Sequence, residues 1–309
     1  MARNATLDYA RLVAAFGIVL FHSGAPGRSI GYAALPFFIM LLVVLALPGA
    51  AKIPFRSFAA TRARRLLGPW LIWSAVYGGL KLAEVAVTGK ALTAEFAPWM
   101  LLTGPAIHLW FLPFAFVTSL ALHPLARLRP DPAGLGMVVS VLLGVSLVTL
   151  ALQQGTALPT PLAQWLFGLP AVLLGLGFAL AQGQRATLLA TGAAVGLGLG
   201  LALALGWTQG LLQLALAGLA LMACLFIRSP QTQASQLATE TALGVYLAHP
   251  LIASVLERAT PVTPHSLGFA VLTAGGALAL TLGLNQLWPF LKNRRRDPDD
   301  AAELSPATS

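Results

Sequence analysis

LDYARLVAAFGIVLFHS, Leu7 to Ser23, is an apolar run that contains an arginine, Arg11, and closes on a histidine, His22. Ionisable groups inside a bilayer are costly, and a chain that keeps them there usually has a use for them. The two residues are eleven positions apart, which on a helix places them roughly 17 Å apart along the axis. A cation near one membrane face and an acid/base group most of the way towards the other suggest an enzyme that works across the bilayer.

The rest of the chain supports a membrane setting. Of 309 residues, 57% are hydrophobic and 9% charged, against about 25% charged in a soluble domain. The 30 glycines and 21 prolines are no objection, because both are commoner in membrane helices than in soluble ones. The single cysteine, Cys224, excludes an intrachain disulfide and any cysteine-based metal site, and no metal is expected. The first apolar segment lacks a small-residue cleavage site and holds Asp8 and Arg11, so it reads as a retained span.

Windows of roughly 20 apolar residues define spans. They fall near 7–23, 30–49, 66–88, 108–126, 134–152, 164–182, 186–206, 210–227, 240–257 and 267–290. The expected architecture is all-α, with about ten transmembrane helices. The span near 186–206 is rich in Gly, Ala and Leu, which suits close helix packing. The expected organisation is one membrane domain, 1–291, followed by a basic and then Pro/Ala/Ser-rich tail, 292–309, whose composition fits disorder.

Ten spans put both termini on one side. The loops sharing that side carry fourteen of the nineteen Lys and Arg, among them Arg56, Arg64, Arg127 and Arg185. The opposite loops carry Arg28, Lys90 and Arg258, and Arg11 and Lys81 lie within spans. By the positive-inside rule both termini are cytoplasmic in a multi-pass cell-membrane protein. The net charge of +9 therefore reports topology rather than nucleic-acid binding.

Four constellations can carry chemistry. Asp8 and Arg11, three apart, can pair on one face of the first span; Arg11 alone also fits a side chain snorkelling to the headgroups. In FRSFAATRARRLLGPWLIW, Phe55 to Trp73, the basic cluster fits a cytoplasmic stop signal. Yet Arg62 and Arg65 share a helix face, and two guanidiniums clamp phosphate well. HLWFLPF opens span 4: Trp110 and Phe111 suit an interfacial belt, aromatic faces with polar tips suit sugars, and His108 fits either role. His123, lower in that span, reads as structural. In ETALGVYLAHP, Tyr246 and His249 lie three apart, and Pro250 kinks the helix and frees a backbone carbonyl. His265 falls in a loop and carries no assignment.

These motifs together resemble the acyltransferase-3 family of integral membrane acyltransferases. Arg11 and His22 reproduce its Arg–ten residues–His motif, and Arg62 to Arg65 its Arg-x-x-Arg motif before the third span. LDYAR, HLWFL and VYLAHP are similar to family sequences in the same order, over residues 7 to 290. One element departs: Leu35–Leu42 reads LPFFIMLL, without the Ser-Gly that often follows the paired phenylalanines. No counterpart is expected of the hydrolase-like domain that some members append.

The resemblance implies transfer of an acyl group, commonly acetyl, from cytoplasmic acyl-CoA to a hydroxyl on a glycan or lipid-linked sugar. Acyl-CoA is then a co-substrate, acetyl-CoA first among donors, and no permanently bound cofactor is expected. Arg62 and Arg65 would hold its phosphates, Arg11 would add a cation, and the thioester would enter towards His22. His22 is then either a general base for the attacking hydroxyl or a covalent acyl acceptor. Asp8 would order Arg11, and His108, Trp110, Tyr246 and His249 would line the cavity.

Two other classes compete. A transporter of an anionic metabolite accommodates ten spans and intramembrane charge, but the second half shows no repeat of the first and spans 4 to 8 hold no charged residue. A structural membrane subunit leaves Arg11 and His22 without a task. The orientation is directly testable: in a Cys224→Ala background, a cysteine at position 309 is expected to label only from the cytoplasm and one at position 95 only from outside. The reverse pattern would overturn the cavity argument.

Overall fold

The computed structural model describes residues 4–128, 131–155, 157–206 and 210–293. Among these there is no strand. The helices are α1 (Ala5–His22), α2 (Arg28–Gly31), α3 (Ala34–Ala50), α4 (Phe55–Thr88), α5 (Leu92–Glu95), α6 (Met100–Thr103), a 3-10 turn η1 (Ile107–Trp110), α7 (Phe111–Leu125), α8 (Pro132–Gly155), α9 (Leu162–Ala181), α10 (Arg185–Ala204), α11 (Leu211–Phe226), α12 (Gln233–Ala259) and α13 (Leu267–Asn293). Arg3, Arg129 and the tail from residue 294 lie outside the described residues.

Each predicted span falls on a helix, but only eight of the described helices are long and apolar enough to cross a membrane. The two others have separate reasons. Helix α11 has 16 residues and rises about 24 Å, short of the roughly 30 Å of hydrocarbon. Helix α12 opens on the polar run Gln233–Glu240, which dilutes its apolar second half. Helix α4 extends eleven residues before the predicted start at 66, so Arg62 and Arg65 stand on the helix itself and Pro69 lies near its middle.

Helix α3 is apolar on every face, and such a helix is stable only when surrounded. It is packed by α1, α7, α9 and α11, and Ile39, Met40 and Val43 are completely buried. The closest approach is to α9, where a Cβ on Gly175 would lie 2.8 Å from the Met40 Cα. Helix α10, the Gly/Ala-rich segment, packs against α11 and α9; the missing side chain of Gly192 is where the Met222 thioether lies. Helix α4 is peripheral: only Phe58 and Tyr77 on it are buried. At its far end Lys81 binds Glu95 at 3.0 Å and Lys90 at 3.2 Å. Hydrogen bonds from these two ammoniums hold the Glu95 carboxyl below its ordinary range.

The helix that carries Arg11 and His22 is fixed along its length by α12. At its start, Asn4 caps α1 by accepting from the Thr6 amide at 3.1 Å. The same side-chain amide donates to the carbonyls of Cys224 and Ile227, both at 3.0 Å, which are orphans at the end of α11. The Tyr9 and Thr232 hydroxyls share a 2.7 Å hydrogen bond. Thr232 and Ser235 then form a reciprocal capping box that starts α12. The two helices therefore begin at the same end and run parallel, α1 towards His22 and α12 towards His249.

Asn4→Ala removes the cap and leaves both α11 carbonyls without their donor. The expected cost is about 1–2 kcal/mol, read as a lower thermal midpoint in detergent. An unchanged midpoint would show that the cap contributes nothing.

Candidate functional site

The centre of the site is a proline within a continuous helix. Pro250 lies inside α12 and has no amide proton to give the Tyr246 carbonyl one turn earlier. Inside a membrane bundle such a carbonyl must find another donor. It accepts from Nδ1 of His249 at 2.7 Å. The next carbonyl, Leu247, accepts from the Tyr77 hydroxyl of α4 at 2.7 Å. The Tyr246 hydroxyl in turn donates to the His108 carbonyl of η1. Three elements distant in sequence are thus tied around one proline.

This network fixes the chemistry of His249. A carbonyl only accepts, so the Nδ1 bonded to it carries the proton. In the neutral ring Nε2 then presents its lone pair. His249 is 1% exposed, and its Nε2 has no hydrogen-bond partner among the described residues. The Nε2 of His108, on a side chain that is also buried, is likewise unpartnered.

Three imidazoles meet here. The ring of His22 is centred 5.0 Å from that of His249, which is 5.4 Å from that of His108. Tyr77 and Tyr246 stand edge-on to His108 at 5.2 and 5.8 Å. His22 is the exposed member of the three; it ends α1, where Phe21 sits edge-on to it at 5.2 Å. The chain past His22 turns at Gly24, with φ of +65°, and the Ser23 carbonyl is held by Nδ1 of His265 at 3.2 Å. Among the described residues no group of histidines, cysteines and carboxylates is arranged to hold a metal ion.

The structure brings together His22, His108, Tyr246 and His249 of the residues singled out in the sequence. His108 is a buried member of the cluster rather than an interfacial residue. Trp110 and Phe111 are not at a belt: both are buried, Trp110 against Phe114 at 5.3 Å and Phe111 against Tyr246 at 5.7 Å. His123 has the structural role expected, bonded to the Ile53 carbonyl at 3.1 Å and packed by Phe55 and Phe58.

The charged groups lie elsewhere. Asp8 and Arg11 pair at 3.2 Å at the opposite end of α1 from His22, and Gln231 donates to the other Asp8 oxygen at 2.9 Å. Asp8 is 2% exposed. Its position in the first helical turn also suits a negative charge. Arg62 stacks over the ring of Phe58 at 5.0 Å, half-buried, whereas Arg65 and Arg64 are exposed. Arg62 and Arg65, three residues apart on α4, share a helix face. Arg65 precedes Tyr77 by twelve residues, or about 18 Å of helix. Both α1 and α4 therefore carry arginine a similar distance before the imidazole cluster.

Tyr77 and His265 were not singled out in the sequence. Tyr77 had a signal: a tyrosine within an apolar span must bury its hydroxyl on a partner. His265 had none, since its contact with Ser23 crosses 242 residues.

A family model described as an acyltransferase domain matches residues 4–285. Among curated proteins and among solved structures, nothing matches the chain. Tyr77→Phe keeps the ring against His108 but removes the donor to Leu247. It is expected to destabilise the protein by about 1–2 kcal/mol, measured by thermal unfolding; wild-type stability would show that the α4–α12 bond is dispensable.

Proposed function

The chain belongs to the acyltransferase-3 family, and from that membership we propose that it transfers an acyl group, acetyl first, from cytoplasmic acyl-CoA to a hydroxyl of an extracytoplasmic glycan or lipid-linked sugar. Membership itself supports a multi-pass membrane acyltransferase. The observation that carries the finer reading is the position of His22: accessible, at the end of α1, against a buried imidazole, with Arg11 eleven residues behind it. The Lys/Arg asymmetry of the loops supports a cytoplasmic side for the arginines and the cell membrane as the location.

In this reading the Arg62–Arg65 pair binds the phosphates of CoA, where charge-assisted, bidentate bonds are strongest. Arg11, braced by Asp8 and Gln231, adds positive charge at the same end. The pantetheine arm spans a distance of the order of the 17 Å between Arg11 and His22 and delivers the thioester to the imidazole cluster. His22 then removes the proton from the acceptor hydroxyl as oxygen attacks the thioester carbon. Alternatively it takes the acyl group on nitrogen and passes it outward. Neither route needs a metal.

The test is binding and hydrolysis of acetyl-CoA by purified protein in nanodiscs. His22→Ala is expected to bind like wild type and to lose at least about 100-fold in turnover. Arg62→Ala/Arg65→Ala is expected to bind about 10- to 100-fold more weakly, with membrane insertion unchanged. No binding of acetyl-CoA or longer acyl-CoAs by wild type, or full turnover by His22→Ala, would overturn the reading.

A further inference from the structure

Resting on the acyl-transfer reading above, we infer that His249 is a positioning residue for His22: its Nε2 accepts a hydrogen bond from a ring N–H of His22 and so turns the other His22 nitrogen, with its lone pair, towards the reacting hydroxyl.

The argument begins at Pro250. The proline frees the Tyr246 carbonyl, the carbonyl takes the Nδ1 proton of His249 at 2.7 Å, and Nε2 is thereby left as an acceptor. A buried acceptor without a partner costs about 1–3 kcal/mol, so a donor is expected opposite it. Two imidazoles face it: His108, at 5.4 Å centre to centre, is held in the buried core, and His22 is the nearer. Its ring is 5.0 Å away centre to centre, a gap that a hydrogen bond of about 3 Å closes once ring radii are counted. Its exposed place at the helix end lets the ring turn, and such bonds commonly tighten only when substrate is present. The titratable groups around His249 are His22 from α1, His108 from η1, Tyr77 from α4 through Leu247, and Tyr246 on its own helix. Among the described residues none of these neighbours is a carboxylate. A neutral imidazole therefore takes the place that an acid holds beside histidine in hydrolytic triads.

The chemistry balances without any proton passing to His249. The acceptor hydroxyl gives its proton to the free nitrogen of His22 while its oxygen forms a bond to the thioester carbon. The carbon–sulfur bond breaks, and the departing thiolate recovers the proton from His22. His249 shares the second His22 proton throughout and stabilises the transient imidazolium.

With five histidines in the chain, the inference can be read directly by 15N spectra of imidazole-labelled protein, with His22 assigned by its loss in His22→Ala. In wild type saturated with acetyl-CoA, His22 is expected to hold one tautomer. His249→Phe, which keeps a ring but has no acceptor, is expected to give a tautomer mixture and about 100-fold slower turnover at an unchanged KM for acetyl-CoA. His249→Gln supplies an amide oxygen and is expected to restore the single tautomer and recover turnover to within about 10-fold of wild type. Pro250→Ala returns an amide proton to the Tyr246 carbonyl, competes with His249, and is expected to slow turnover about 10-fold without lowering the thermal midpoint. A His22 tautomer indifferent to His249→Phe, or His249→Gln as impaired as His249→Phe, overturns the inference. A tautomer shift in protein whose wild type turns over no acyl-CoA would sink the acyl-transfer reading and leave the pairing of the two histidines standing.

Discussion

A carbonyl released inside a membrane bundle has no water to turn to, and the site of this protein is organised by that fact. Pro250 strands the Tyr246 carbonyl, and the side chain three residues on, His249, donates to it. Leu247 recruits Tyr77 from α4, and Tyr246 reaches to η1. A single backbone defect thus orients one imidazole and ties three elements that share no sequence neighbourhood. Elsewhere in the described bundle, apolar contact and small residues, as at Gly175 on Met40, are joined by polar ties such as Gln213 to the Ser29 carbonyl and Tyr9 to Thr232.

A second constraint acts along α1. The helix holds a cation at one end and an imidazole at the other, and each end is anchored separately. Asp8 is almost fully buried between Arg11 and Gln231. Such an ion pair inside low dielectric is tolerated because both of its carboxylate oxygens are occupied. At the other end the Ser23 carbonyl is held by His265, and Gly24 supplies the positive φ that turns the chain away. The span between Arg11 and His22 is therefore a fixed length set by the rise of one helix rather than by flexible loops.

Much of this was legible in the sequence. The ten apolar windows all fall on helices, because burial in lipid or in a bundle requires the same run of apolar residues. Arg11, His22, Tyr246 and His249 stood out because polar groups in such runs are conspicuous. What was not legible follows from the same physics. Trp110 and Phe111 read as belt residues because aromatic rings suit both an interface and a core, and only packing against Phe114 and Tyr246 decides. Helix α12 began seven residues earlier than its apolar signal, since the capping box at Thr232 and Ser235 specifies a start without hydrophobicity. His265 reaches Ser23 across the whole chain, and no local pattern encodes that.

The parallel pairing of α1 and α12 has a consequence for how the protein is made. Asn4, Thr6 and Tyr9 at the start of the chain are held by residues more than two hundred positions later, and His22 meets His249 across a similar interval. Contacts of such sequence separation form late. A chain still emerging from the ribosome carries Arg11 and His22 into the membrane long before Pro250 exists. The imidazole cluster therefore cannot assemble until nearly the whole bundle has been inserted. The order of synthesis thus leaves the meeting of His22 with His249 to the last stage of insertion.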